Sequence, residues 1–412
     1  MRKRLPSPLQ QRDFSLFWVA ILATGFAAQM MAVAIGWQVY AIRENPLDLG
    51  LIGLAEFLPL PLLALPAGHI ADRLPRRRVY AAAIVLEGLV AGGLIVVTLA
   101  GASSLWPFLL LALAAGSAAA LGWPAARSMP PTLVSTDLLA SAMALRGIAF
   151  QSATIVGPAI GGLIFAARAQ LVYVVAATLF VVALCCILAV NERTEERLLE
   201  AAPSREALFA GARFVRRTPV LFGAISLDLF AVLFGGAMAL LPLFARDILD
   251  TGPVGLGILR SAPAVGALAA GILLAHRPIR GNAGRTLLVV VAIFGAAMIV
   301  FGLSKSFPLS CAALAIAGFA DMFSMNIRSM TVALATPDAL RGRVNAVEMV
   351  FISGSNELGA FESGIAAALI GAVPAVVLGG VATIVIAGLW WRFFPDLRRV
   401  DRLELLRPAS EP

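Results

Sequence analysis

Charge is scarce in this chain. Only 14% of its 412 residues are Asp, Glu, Lys or Arg, while 60% are hydrophobic and the mean hydropathy is +0.91. Soluble domains carry about a quarter charged residues, so this shortage excludes a water-soluble globular fold. Histidine is scarcer still: His69 and His276, both in short polar turns, cannot supply a His-Glu-x-x-His metal site. The three cysteines, Cys185, Cys186 and Cys311, all lie inside apolar runs, which excludes a disulfide framework or thiolate cluster and leaves them as packing residues. No Gly-x-x-x-x-Gly-Lys-Ser/Thr phosphate loop occurs, so the chain holds no nucleotide-driven pump. The expectation is therefore no enzyme, no catalytic residues, no metal and no cofactor. A receptor or scaffold would carry an extramembranous domain, and none is legible.

What is present is one long apolar run after another, each close to the roughly 20 residues that cross a bilayer as a helix. The runs are continuous instead of alternating every second residue, which excludes an outer-membrane barrel. Breakers divide them into twelve expected spans: 14–41, 49–71, 79–100, 104–126, 139–166, 170–190, 218–245, 254–275, 285–304, 308–331, 344–371 and 373–394. The first run is too long for a signal peptide and lacks a clean cleavage site, so it reads as a retained helix. The longest polar stretch, residues 191–219, splits the chain six and six. The expected layout is a six-helix bundle over 1–190, a partly helical linker over 191–217, a second bundle over 218–394 and a tail over 395–412.

The net charge of +8 and pI near 10.4 do not signal nucleic acid, because the cations sit in short turns and at helix ends. With the N-terminus inside, 27 of the 32 Lys and Arg fall on one side; only Arg43, Arg168, Arg246, Arg260 and Lys305 fall on the other. That asymmetry predicts a multi-pass protein with both termini and the linker cytoplasmic; the expected location is the bacterial inner (plasma) membrane.

The chain also repeats. Arg127-Ser-Met-Pro-Pro-Thr-Leu-Val-Ser-Thr-Asp-Leu-Leu139 and Arg328-Ser-Met-Thr-Val-Ala-Leu-Ala-Thr-Pro-Asp-Ala-Leu340 share Arg, Ser, Met, Leu, Asp and Leu at a constant offset of 201. The two halves read as parallel six-helix repeats, an arrangement that places a solute path between them and suggests rocking.

On these features the sequence resembles the major facilitator superfamily over essentially its whole length. The turn after the second span, Gly68-His-Ile-Ala-Asp-Arg-Leu-Pro-Arg-Arg-Arg-Val79, is similar to the family's Gly-x-x-x-Asp-Arg/Lys-x-Gly-Arg-Arg/Lys signature, with Pro75 at the second glycine. The resemblance implies a cytoplasmic gate built from Gly68, Asp72, Arg73, Arg76 and Arg77, the Asp72 carboxylate capping the helix that begins near Val344. The matching turn of the second half, from Gly271, carries Ala275 in place of the aspartate. Gly157-Pro-Ala-Ile-Gly-Gly162 resembles the Gly-Pro-x-x-Gly-Gly element of drug and metabolite exporters, although Ala153 replaces one of the preceding glycines. That element (Gly157, Pro158, Gly161, Gly162) favours export over uptake. Segments 124–144 and 337–345 look like the exporter branch that includes enterobactin exporters, macrolide-efflux-type proteins and other transmembrane secretion effectors. The implied fold is all-α, twelve transmembrane helices in two pseudo-symmetric bundles. The implied function is export of small amphipathic molecules (drug, siderophore or other metabolite) in exchange for protons, by a monomer in the lipid bilayer. A proton-coupled uptake symporter and a lipid or lysolipid transporter are the alternatives.

Ionisable groups inside a span cost about 2.5–3.5 kcal/mol near the bilayer centre, so each is a functional candidate. Burial favours the proton-carrying form of a carboxyl group, which suits a proton carrier. Asp228 and Glu357 fall near the middle of their spans and Asp321 somewhat toward the cytoplasm; these are the proton-coupling candidates. Glu56, Arg260 and Glu362 lie in outer halves and are expected to form an outer gate, with Arg260 neutralising one of the glutamates. Gln29, Gln38, Gln151 and Asn356 are candidates to line the cavity, and Arg127 and Arg328 are the repeat-related arginines.

Overall fold

The computed structural model describes residues 7–63, 74–191, 205–279 and 281–401, and among them every regular element is helical. In the first half, besides short helical turns at Pro8–Gln10 and Pro130–Leu133, these are α1 (Arg12–Arg43), α2 (Pro46–Leu63), α3 (Arg76–Leu99), α4 (Trp106–Ser128), α5 (Thr136–Ala167) and α6 (Ala169–Leu188). The linker contributes α7 (Arg205–Arg217). The second half follows with α8 (Pro219–Ile248), α9 (Gly252–His276), α10 (Ala283–Leu303), α11 (Phe307–Ala335), α12 (Asp338–Ile370), α13 (Ala372–Phe393) and the single turn α14 (Pro395–Arg398).

Eleven of these helices are long and apolar enough to cross a membrane. The twelfth expected span, 344–371, falls on α12 up to its last residue, Ile370, and α12 is not among the eleven. At 1.5 Å per residue its 33 residues extend about 50 Å, ample for crossing. Its polar load sets it apart: Glu348, Asn356, Glu357 and Glu362 all lie along it.

The described residues sort into two units. The first comprises Met1–Arg43, Ala55–Ala202 and Gly252–Ser261; the second comprises Glu44–Leu54, Pro203–Thr251 and Ala262–Pro412. The start of α2 therefore groups with the second unit and the start of α9 with the first, a departure from the simple division of the sequence at the linker.

Within the first unit α1 packs on α5 and α6, and α3 packs on α4 and α6. Within the second, α8 packs on α12 and α13, and α10 packs on α11 and α13. The same four pairings recur in chain order, which is the structural form of the sequence repeat. Both interiors are rich in small residues, such as Ala20, Ala23, Ala27 and Ala34 on α1, since close van der Waals contact is what holds helices together in lipid. Large apolar side chains such as Leu89, Val96, Leu110, Leu163, Val181 and Leu369 are exposed, as a bilayer-facing surface requires. The cysteines are free: Cys185 on α6 is exposed, so it is not the packing residue expected, while Cys186 and Cys311 are half-buried.

α8 is broken in its second half. It is regular to Gly235, passes through a 3₁₀ turn at Ala237–Leu240, and ends in a π turn at Phe244–Ile248. Val400 and Asp401 fold back on the start of α10. The amides of Ala283 and Gly284 donate to the carbonyls of Asp401 and Val400 at 3.0 and 2.9 Å, and the Asn282 amide donates to the Asp401 carboxylate at 2.6 Å. A helix start needs acceptors for its free amides, and Asp401 provides them from the chain's far end.

Candidate functional site

The polar centre of the second unit is built from three helices. α11 places Asp321, Ser324 and Arg328 at i, i+3 and i+7, one face of a helix. α8 contributes Asp228 and α12 contributes Glu348. Arg328 and Asp228 are 4% and 7% exposed and form an ion pair through Nη1 and Oδ1. Glu348 Oε1 stands 3.7 Å from Arg328 Nε, a buried donor that makes no hydrogen bond. Asp321 is exposed, makes no hydrogen bond or ion pair among the described residues, and lies within electrostatic reach of both Asp228 and Arg328. Asp228, Asp321 and Ser324 line a cavity of about 20 Å³ with Ala231, Val232, Val290, Val291, Phe294 and Ala320. That is room for about one water molecule.

One guanidinium thus faces three carboxyl groups. A buried cation is tolerated only when paired, and Asp228 supplies that pairing. With every group ionised the cluster carries two excess negative charges, and it reaches neutrality when two of its carboxyl groups hold protons. The arrangement is suited to binding and releasing protons beside a fixed positive charge.

The first unit carries no acid at the matching positions. Subtracting the repeat offset of 201 from Asp228, Asp321 and Glu348 gives Ala27, Ala120 and Gly147. Arg127, the partner of Arg328 in the repeat, is exposed.

The other expected positions meet different fates. Of the proton-coupling candidates, Asp228 and Asp321 come together, whereas Glu357 does not line the cavity. Its carboxylate faces Gly53, where an added methyl would come within 3.3 Å of Oε2. Of the gate residues, Gly68, Asp72 and Arg73 lie outside the described residues. Arg76 donates to the Ser128 carbonyl at 2.6 Å and Arg77 to the Val190 carbonyl, so both brace the start of α3 against the ends of α4 and α6. Arg260 donates to the Ala32 carbonyl at 3.4 Å, and Glu362 bonds its neighbour Ser363. An ion pair that the sequence does not suggest joins Glu44 to Arg246 at 2.6 Å within the second unit, ahead of α2 and on the π turn of α8.

The exporter-type element of α5 is closely packed on two sides. A methyl added to Gly157 or Gly161 would lie 2.8 Å from Gln29 Cβ or Met30 Cα of α1. One added to Gly162 would lie 2.3 Å from the Pro253 carbonyl oxygen, and one on Gly257 would lie 2.4 Å from that of Pro158. The element therefore seats α1 and the first turns of α9 within the first unit, with Pro158 buried between them.

Among the cavity candidates, Gln38 is committed elsewhere. Its amide donates to Thr98 Oγ1 at 3.1 Å and its carbonyl accepts from Tyr173 Oη at 2.9 Å, tying α1 to α3 and α6. Asn356 is exposed and donates to the Ile352 carbonyl of its own helix at 2.9 Å. Gln29 and Gln151 are half-buried. Glu348 escapes sequence reasoning because the expected span begins at residue 344, which makes it a helix-end charge. α12 begins six residues earlier, at Asp338, and carries Glu348 inward.

The family model described as transmembrane secretion effector matches residues 5–409. The chain is 30% identical over 406 residues to the multidrug efflux pump Tap of Mycolicibacterium fortuitum, covering 94% of this chain and 96% of that protein. It is 26% identical over 411 residues to the enterobactin exporter EntS of Escherichia coli, covering 98% and 96% respectively. Among solved structures, a bacterial homolog of the human lysosomal transporter Spinster superposes with a TM-score of 0.75 at 16% identity, covering 99% of this chain and 100% of that one. The nucleoside transporter NupG superposes with a TM-score of 0.69 at 13% identity, covering 93% and 99%. At such identities these two likenesses are of fold.

Proposed function

Since the chain belongs to the transmembrane secretion effector family, in the efflux branch of the major facilitator superfamily, we propose that it exports small amphipathic molecules by proton-coupled alternating access. It is a multi-pass membrane protein. We place it in the bacterial inner membrane with both termini cytoplasmic, as the distribution of Lys and Arg favours, working as a monomer. The relatives' names, a multidrug efflux pump and an enterobactin exporter, favour drug-like compounds or enterobactin-like metabolites as substrates.

The observation that carries the coupling is the single guanidinium of Arg328 among Asp228, Asp321 and Glu348. Asp228 stays ionised to hold Arg328. Asp321, unpaired and on the cavity, loads and releases the proton, and Glu348 is the second partner that Arg328 engages as the charge at Asp321 changes. This assignment moves the coupling role from Glu357 to Glu348.

The test uses inside-out vesicles with an imposed pH gradient and a panel of amphipathic drugs and siderophores, enterobactin included. Wild-type protein is expected to collapse the gradient on addition of a transported compound, whereas Asp321→Asn moves the compound only down its own gradient. Gradient-driven accumulation by Asp321→Asn at the wild-type rate would overturn the assignment, and no response to any compound in the wild type would overturn the exporter reading.

A further inference from the structure

The linker helix α7 carries its charge on one side. Phe214 and Val215 are buried with Leu221, Ile225, Val332, Ala335 and Val344, in the seam formed by α8, α11 and α12. Gly211 lies against the start of α12 so closely that an added methyl would stand 2.7 Å from the Arg343 carbonyl oxygen. Residues 211, 214 and 215 thus form the docked face. Arg213, Arg216 and Arg217, spaced i, i+3 and i+4, form an exposed one. None of these three arginines makes a hydrogen bond or ion pair among the described residues. Over residues 205–217 the sequence sets four arginines against one glutamate.

The position of this face decides its partner. Only Thr218 separates Arg217 from Pro219, the first residue of a membrane-spanning helix, so the arginines stand at headgroup level. Guanidinium groups match phosphate in shape and charge, and juxtamembrane arginines are drawn to anionic leaflets. A soluble nucleic acid would need base-stacking aromatics on the same face. The aromatic beside these arginines, Phe214, is instead buried.

We propose that Arg213, Arg216 and Arg217 form a binding site for the phosphate of an anionic phospholipid headgroup, which fastens the linker helix to the membrane surface. Each arginine is expected to contribute about fivefold in lipid affinity.

The full-length protein is purified in detergent and titrated with phosphatidylglycerol or phosphatidylcholine, and bound lipid is counted by native mass spectrometry. Wild-type protein is expected to prefer phosphatidylglycerol. The triple variant Arg213→Gln/Arg216→Gln/Arg217→Gln should lose about 100-fold of that affinity, while the triple Arg→Lys variant keeps most of it. A control double variant, Arg277→Gln/Arg285→Gln, removes two other exposed arginines and should bind as wild type. Equal affinity for the two lipids, or no loss in the triple Gln variant, overturns the site. Displacement of phosphatidylglycerol by millimolar inorganic phosphate also overturns it, by showing an anion site indifferent to lipid.

Discussion

The ion pair between Asp228 and Arg328 makes an asymmetric prediction about its two partners. Arg328 is 5% exposed at its side chain and cannot shed its charge. Asp228→Asn therefore leaves a buried guanidinium facing a neutral amide. Removing one partner of a buried pair costs about 3–5 kcal/mol. Here Glu348 remains 3.7 Å away. At an effective dielectric near 20 that distance corresponds to an attraction of about 4–5 kcal/mol, much of which is already present in the wild type. The expected loss is therefore at the low end, about 3 kcal/mol. For a unit of roughly 200 residues this lowers the thermal midpoint by about 6–12 °C. At pH 5 Arg328→Met behaves differently, because the orphaned carboxyl groups take up protons there at a cost of about 1–2 kcal/mol. The double variant Asp228→Asn/Arg328→Met should stand within about 1 kcal/mol of wild type, a coupling of about 3–4 kcal/mol. Thermal unfolding of the four proteins in one detergent at pH 5, followed by tryptophan fluorescence, measures all of this. The reasoning fails if Asp228→Asn loses less than Arg328→Met, or if the double variant is no more stable than Asp228→Asn.

Further consequences are open to measurement. Gly162→Val adds branched carbons where even a single added methyl would lie 2.3 Å from the Pro253 carbonyl oxygen, so it should cost about 1–3 kcal/mol and depress transport without altering Asp321 chemistry. Asp401→Ala removes the acceptor for the Asn282 amide; it should cost about 0.5–2 kcal/mol and raise hydrogen exchange at residues 282–284, where unchanged protection would refute the cap. Glu44→Gln breaks an ion pair whose side chains are 62% and 31% exposed, so its effect should stay below about 1 kcal/mol and vanish in molar salt.

The architecture is legible in the sequence because lipid imposes strong rules on it. Uninterrupted apolar runs mark the helices, and the recurrence of Arg-Ser-Met at 127 and 328 marks the duplication that reappears as four matching helix pairings. Asp228 and Asp321 are legible because a charge within a span is costly and must have a reason. Their partner is less so. Arg127 and Arg328 look equivalent in the repeat, and only the three-dimensional neighbours, absent at Ala27, Ala120 and Gly147, distinguish the exposed arginine from the buried one. Gln38 cannot be assigned from sequence, because its bonds to Thr98 and Tyr173 span 60 and 135 residues. The fold-back of Asp401 onto α10 is equally non-local, and in sequence the tail reads only as a cytoplasmic extension.

The central claim is that a proton taken up beside Arg328 is exchanged for substrate. The most direct measurement is proton release by the purified protein in weakly buffered detergent solution, followed with a pH-sensitive dye as a transported compound is added. Wild-type protein should release protons in proportion to compound bound, and Asp321→Asn should bind the compound and release none. Release of the same number of protons by both proteins would contradict the account.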